Sequence, residues 1–220
     1  MISKRKFLKT GVGLLISFNI IVFIITVVTA GLNFTDIYGC GASPFQVFIG
    51  EGVSSLQCEL GQINYLVLYN FQYWQIFTSM FVHFGIVHLT LNMIALFYFG
   101  SIIEMNYGKK NLLLIYFLSG IIGNIASLFL LPLIFGFPNG DFVLSGGASG
   151  AIFGLIGAFA ILGKISGSFY SALIYVIAIF IMSSFIPGVN IIAHLFGLVS
   201  GTIISYLFTK YYDRRISLII

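Results

Sequence analysis

The chain has 220 residues, of which 59% are hydrophobic and only 7% charged, and its mean hydropathy is +1.08. A soluble domain averages about a quarter charged residues, so this composition excludes a water-soluble globular protein and points to a chain whose solvent is largely lipid. The net charge of +4 is too small to indicate a nucleic-acid partner, and two cysteines are too few for a disulfide framework.

Lys4, Arg5, Lys6 and Lys9 make 1–10 a basic segment, and an apolar run over 11–32 follows it. A basic flank before an apolar stretch also describes a cleavable signal peptide, and Val28-Thr29-Ala30 loosely resembles a cleavage site. The run exceeds the ~7–15 residues of a signal core and approaches the ~20 of a membrane span, so we read it as a retained first transmembrane helix. Residues 33–75 are mixed and polar, with Asp36, Glu51, Glu59, both cysteines and no Lys or Arg. Tyr65, Tyr69, Tyr73 and Trp74 near its end favour the headgroup level, so this is read as an outer loop lying on or partly in the membrane surface. Spanning helices are predicted next over about 84–103, 112–131, 146–162, 169–186 and 191–208, each close to the length a bilayer requires. The expected fold is an all-α membrane protein, a six-transmembrane-helix bundle over 11–209 with a tail over 210–220.

Six spans place both termini on one side. The ten basic residues, Lys4, Arg5, Lys6, Lys9, Lys109, Lys110, Lys164, Lys210, Arg214 and Arg215, then all fall on the same face. The positive-inside rule makes that face cytoplasmic, together with segment 1–10 and the tail. Asp36, Glu51, Glu59 and Asp141 fall on the opposite face. Removing the first helix as a signal leaves the same sidedness. Cys40 and Cys58 then lie outside the cytosol, where disulfides persist. A bridge closing the loop and two inert thiols both fit the sequence.

The second, fourth and sixth spans all begin at the outer face. His83, His88 and Asn92 lie at the start of the second, Ser149 near the start of the fourth and His194 near the start of the sixth. At ~1.5 Å rise per residue, Ser149 and His194 sit between a few ångströms and about 10 Å below the outer boundary. All three histidines of the chain therefore share one layer with Ser149. An imidazole within a transmembrane segment is costly and marks a functional site by default. His88 and Asn92, at i and i+4, project from one helix face, whereas His83 lies about 140° round the helix from His88. These positions suggest Ser149 as a nucleophile and His194 as its base.

Plainer readings exist for each residue. A membrane serine usually packs and bonds to its own backbone. Gly150-xxx-Gly154 and Gly197-xxx-Gly201 ordinarily mark close helix packing, but glycines that let the fourth and sixth spans approach would also bring Ser149 to His194. No carboxylate or cysteine shares the histidine layer inside the helices, and the spacing forms no zinc motif, so neither metal nor cofactor is expected. Glu104, near the inner end of the second span, is read as a structural partner.

Gly147-Ala148-Ser149-Gly150, Ala193-His194-Leu195-Phe196-Gly197 with Gly201, and His83 with His88 and Asn92 in a His-x4-His-x3-Asn pattern together resemble the rhomboid family of intramembrane serine proteases. The resemblance covers about Trp74 to Gly201 and is specific in its combination. It implies a serine endopeptidase that cleaves peptide bonds in or beside transmembrane segments, with Ser149 attacking the carbonyl and His194 as general base and then acid. It implies oxyanion donors from His88, Asn92 and the Ser149 backbone N–H, with His83, Gly147, Gly150, Gly197 and Gly201 in support. Its implied partners are single-span or other transmembrane substrates and the bilayer, and its implied location is the plasma membrane as a multi-pass protein, with the site near the non-cytoplasmic face. The family's usual Trp-Arg before the second span is Trp74-Gln75 here, which leaves open how the outer loop is anchored. The competing readings are an inactive rhomboid-like protein that binds transmembrane helices, and a small transporter or channel using its histidines as a proton relay. The second leaves the Gly-Ala-Ser-Gly setting unexplained and lacks intramembrane carboxylates.

Overall fold

The computed structural model describes residues 8–32, 39–136, 138–186 and 188–217, with side chains described as far as Lys210. Lys4, Arg5, Lys6, Asp36 and residues 218–220, which carry part of the charge and terminus expectations, lie outside the described residues, as do the side chains of Arg214 and Arg215. The fold is almost wholly helical. Helix α1 spans Gly11–Val28, and three short helices follow: α2 (Pro44–Ile49), α3 (Ser55–Leu60) and α4 (Asn64–Tyr69). After the single turn α5 (Gln75–Thr78) comes the long α6 (Ile86–Phe135), then α7 (Ser149–Ile165), α8 (Phe169–Ser184) and α9 (Ile191–Ser217). Two-residue strands β1 (Gln62–Ile63) and β2 (Leu144–Ser145) pair antiparallel, Gln62 opposite Ser145 and Ile63 opposite Leu144.

The segments expected over 84–103 and 112–131 run together as α6, which breaks at Gly108 (φ 79°, ψ 164°) and resumes at once. Glycine takes this left-handed backbone without a Cβ penalty, so the connection needs no loop. α1, α6 and the stretch Ile191–Lys210 of α9 are long and apolar enough to cross a membrane, and α7 and α8 are shorter apolar helices. α7 is buried on every side along most of its length, as a helix apolar all round should be. It packs against α6, α8 and α9, and α1 packs on α6.

Small residues let the centre close. A Cβ added at Gly197 would overlap the Gly150 carbonyl, and one at Gly201 would overlap the Gly154 carbonyl, so α7 and α9 touch backbone to backbone. Lipid does not drive helices together as water does, and such interfaces rely on close packing. Glu104 is a structural partner: its carboxylate accepts the Gly11 N–H at 2.6 Å and the Val12 N–H at 3.0 Å. It satisfies donors at the α1 N-terminus, where negative charge is favoured.

Residues 39–75 form a folded support. Cys40 and Cys58 are joined by a disulfide, with Cα atoms 6.2 Å apart, which decides between the two cysteine readings. Val47, Cys58 and Val67 are buried. Gln75, where the family usually has Arg, is fully buried. Its Oε1 accepts the Ile63 N–H at 2.9 Å and its Nε2 donates to the Glu59 carbonyl at 3.3 Å and to Gln72 Oε1 at 2.8 Å. The uncharged amide therefore ties the support to α5.

Gly201→Val is expected to lower unfolding stability in detergent by about 1–3 kcal/mol or more, as overpacking does. Gly150→Ala, whose added Cβ would meet Ala193 only at 3.5 Å or beyond, should change it little. An unaltered unfolding midpoint for Gly201→Val would sink the close-packing account.

Candidate active site

The backbone before α7 is what presents Ser149. The helix expected from 146 begins three residues later, at Ser149 itself, because Leu144 and Ser145 are held in β2 and Gly147 turns with φ 128°. The Gly147 N–H donates to the Ser79 carbonyl at 2.9 Å. The irregular backbone before Ser149 is satisfied within the protein, by β1, Ser79 and His83. As the first residue of α7, Ser149 also has a backbone N–H without an acceptor inside its helix. Its side chain is half-buried.

His88 faces this turn. A Cβ built on Gly147 would lie 3.0 Å from His88 Nε2 and 3.6 Å from Ser149 Oγ, so glycine keeps open a space that both groups border. The Phe84 N–H donates to His88 Nδ1 at 3.2 Å. In a neutral imidazole that bond leaves the proton on Nε2, the nitrogen turned to the open space. Asn92, largely buried, donates one amide hydrogen to the His88 carbonyl at 2.9 Å and keeps a second.

His83 has a different set of partners. It is fully buried, its Nδ1 lies 3.2 Å from the Phe81 carbonyl and its Nε2 accepts the Ala148 N–H at 3.4 Å. Both ring nitrogens are thus occupied, and its carbonyl accepts Gln57 Nε2 at 2.8 Å. Gln57 belongs to the α3 capping box with Ser54, next to the disulfide. His83 therefore ties the 39–75 support to the residue before Ser149. Burial, and secondarily the neighbouring His88, lowers its pKa to about 3.

His194 reaches the site from α9. It is buried, and its ring stacks on Phe153 with centroids 4.3 Å apart and planes 26° from parallel. Phe153 is four residues after Ser149, one turn along the same face of α7. His194 Nδ1 is buried with no hydrogen-bond partner among the described residues. The helices that carry Ser149 and His194 pack closely beside these residues, with Ala193 against Gly150 and Gly197 against the Gly150 carbonyl, and no hydrogen bond joins the two side chains among the described residues. Catalytic hydrogen bonds often tighten only with substrate bound. No group of three or more His, Cys, Asp or Glu that could hold a metal occurs among the described residues.

The sequence reading did not single out Phe153, Gln57, Ser79 or Asn190. Phe153 was accessible through its i+4 spacing from Ser149, and Asn190 through its position just before a helix. Gln57 and Ser79 act through tertiary contacts that leave no local pattern.

The chain has recognisable relatives among known proteins. The Rhomboid domain family matches residues 70–211. The Bacillus subtilis (strain 168) protein YdcA, whose name places it among rhomboid proteases, is 37% identical over 152 residues, covering 66% of this chain and 72% of its own. Rhomboid-like protease 3 of Toxoplasma gondii is 35% identical over 156 residues, 67% of this chain and 54% of the relative. Inactive RHOMBOID-like protein 8 of Arabidopsis thaliana is 34% identical over 160 residues, 69% of this chain and 43% of the relative.

Two outcomes follow from the geometry. Gly147→Ala would fill the space between His88 and Ser149 and force alanine into a left-handed backbone, so labelling of Ser149 by a serine-directed phosphonate should slow at least about tenfold, in proportion to the electrostatic loss expected from a displaced donor. Labelling at the wild-type rate would remove the significance of that space. His83 binds its proton more weakly folded than unfolded, where about 6.5 is usual. Its contribution to stability is therefore whole above about pH 6.5 and is lost as pH falls towards 3. His83→Gln should flatten the fall in stability across that window in acid titrations of unfolding, and an unchanged slope would contradict it.

Proposed function

This chain belongs to the rhomboid family, and on that premise we propose that it is an intramembrane serine endopeptidase that cuts peptide bonds in or beside the transmembrane segments of other membrane proteins. The observation that carries the proposal is Ser149 at the first position of α7, facing His88 Nε2 across the space left by Gly147. Ser149 attacks the carbonyl while His194 accepts its proton and later delivers it to the leaving amine. The oxyanion is met by the Ser149 backbone N–H, by His88 Nε2–H and by the second amide hydrogen of Asn92, at a helix N-terminus whose dipole favours negative charge. Phe153 orients the imidazole by stacking, since among the described residues no carboxylate bonds to His194.

α1, the two limbs of α6, α7, α8 and α9 supply six spans, with segment 1–10 and the tail 210–220 in the cytoplasm and the domain between them over 11–209. The charge distribution supports that sidedness. So does the Cys40–Cys58 bridge, which is suited to an oxidising compartment. The site then lies near the non-cytoplasmic face, shallow enough for water to reach it, in the plasma membrane. A helical substrate carbonyl is already bonded, so the substrate must present extended backbone. Segments weakened by glycine, proline or small residues near the cut fit best.

A second reading, a rhomboid-like protein that binds transmembrane helices without cutting, is favoured by the inactive relative in Arabidopsis. The chain keeps both Ser149 and His194, which supports the protease. The two are separated by reconstituting the protein with a single-span reporter. Wild type should cut it, and Ser149→Ala and His194→Ala should each lose more than ~10³-fold in rate. Reporter binding with no product in wild type would establish the second reading, and cutting by both variants would displace the dyad.

A further inference from the structure

We propose that Asn190 is a positioning residue that fixes the depth of His194 relative to Ser149. The inference rests on the protease reading above for its catalytic consequence, and on geometry alone for the clamp itself.

Asn190 stands just before α9 and lies outside the motifs that mark the site. Its side chain joins three elements. Oδ1 accepts the Ala193 N–H at 3.1 Å, capping the helix that carries His194. Nδ2 donates to Ser145 Oγ at 3.1 Å, in the strand leading to Ser149. Nδ2 also donates to Ser127 Oγ at 2.6 Å, in the second limb of α6. The Asn190 carbonyl accepts the His194 N–H itself at 3.2 Å. Ser127 and Ser145 are both buried, so each hydroxyl depends on protein partners.

The residues tied together matter more than the number of bonds. Ala193 immediately precedes His194 and packs on Gly150 and Gly123, and Ser145 is one end of the strand that sets the Gly147 turn. The α7–α9 interface is built of glycines, whose smooth surfaces let helices approach closely but give little resistance to sliding along the axis. A one-residue slip would move His194 by about 1.5 Å, and misplacement of about 1 Å costs on the order of 10²-fold in rate. Asn190 supplies the directional bonds that the glycine seam lacks. Neither a shorter nor an apolar residue reproduces them: serine does not span both partners, and leucine, of similar size, offers neither donor nor acceptor.

The test uses the full chain in detergent and in liposomes. Asn190→Ala should exchange backbone hydrogens at least about tenfold faster in peptides covering 142–150 and 189–196, with little change along the rest of α7. Reporter cleavage should fall about 10- to 100-fold in kcat with KM nearly unchanged. Asn190→Leu, which keeps the volume and removes every side-chain bond, should exchange as fast as Asn190→Ala in both peptides. Ser145→Ala should lower kcat more than Ser127→Ala, although each removes one hydroxyl from the same amide. Unchanged exchange in both peptides overturns the clamp. Faster exchange with unaltered kcat overturns the positioning role while leaving the protease reading intact. If wild type cuts nothing and its Ser149 resists phosphonate, the protease reading fails and the positioning role with it, while the exchange data still decide whether the clamp exists.

Discussion

Lipid offers no hydrogen bonds, so if Ser149 lies at the proposed depth every backbone group around it must find a partner within the protein. Ser149 at the start of a helix, where the proposed mechanism needs its nucleophile, makes that constraint acute, because the chain leading to it is not helical. The solution here is assembled from distant parts of the sequence. Ser145 and Leu144 pair with Gln62 and Ile63, Gly147 donates to Ser79, and Ala148 donates to the His83 ring. On the proposed placement, a helix N-terminus is thereby held below the boundary without exposing irregular backbone to lipid, and its first N–H groups, which have no acceptor inside the helix, are what an oxyanion would need.

The outer support follows from the same constraint. β1 can pair with β2 only if residues 39–75 are themselves fixed, and glutamines do much of that work. Gln57 completes the α3 cap and reaches the His83 carbonyl, while Gln75 binds Ile63, Glu59 and Gln72. An amide offers both a donor and an acceptor, so one side chain can satisfy strand and helix together. This explains how Gln75 serves where the family usually carries arginine: its contacts are carbonyls, an N–H and another amide, and a positive charge has no ion partner among them. The disulfide closes the same support, joining Cys40 to Cys58 beside Gln57.

Hydropathy was enough to find the apolar helices, since lipid selects for long apolar runs irrespective of partners. It was not enough to place their ends. Residues 146–148 are as small and apolar as those that follow, and only the β1 pairing and the Gly147 turn show that the helix begins at Ser149. Likewise Gly108 bends α6 where charge and polarity suggested a loop. The histidines could be assigned to one layer by topology, but their separate tasks depend on which nitrogen is already bonded. His83 has both engaged and His88 has Nε2 free to donate, a distinction that spacing does not carry. The roles of Gln57 and Asn190 are tertiary throughout.

Among the described residues no carboxylate bonds to His194, and this too is a matter of solvent. A third group that orients the base works best as a buried anion, but an uncompensated carboxylate within the bilayer is expensive to hold, and at rest the neutral imidazole would leave it unpaired. Phe153 avoids that cost. Its face fixes the ring plane by stacking and, on the proposed mechanism, its quadrupole favours the imidazolium formed when Ser149 gives up its proton, by about 0.5–2 kcal/mol. That is much less than an anion would give, so the remainder must come from placement. This raises the demand on the glycine seam and on whatever fixes its register, which is why a polar clamp at the head of α9 belongs to the logic of a dyad more than to that of a triad.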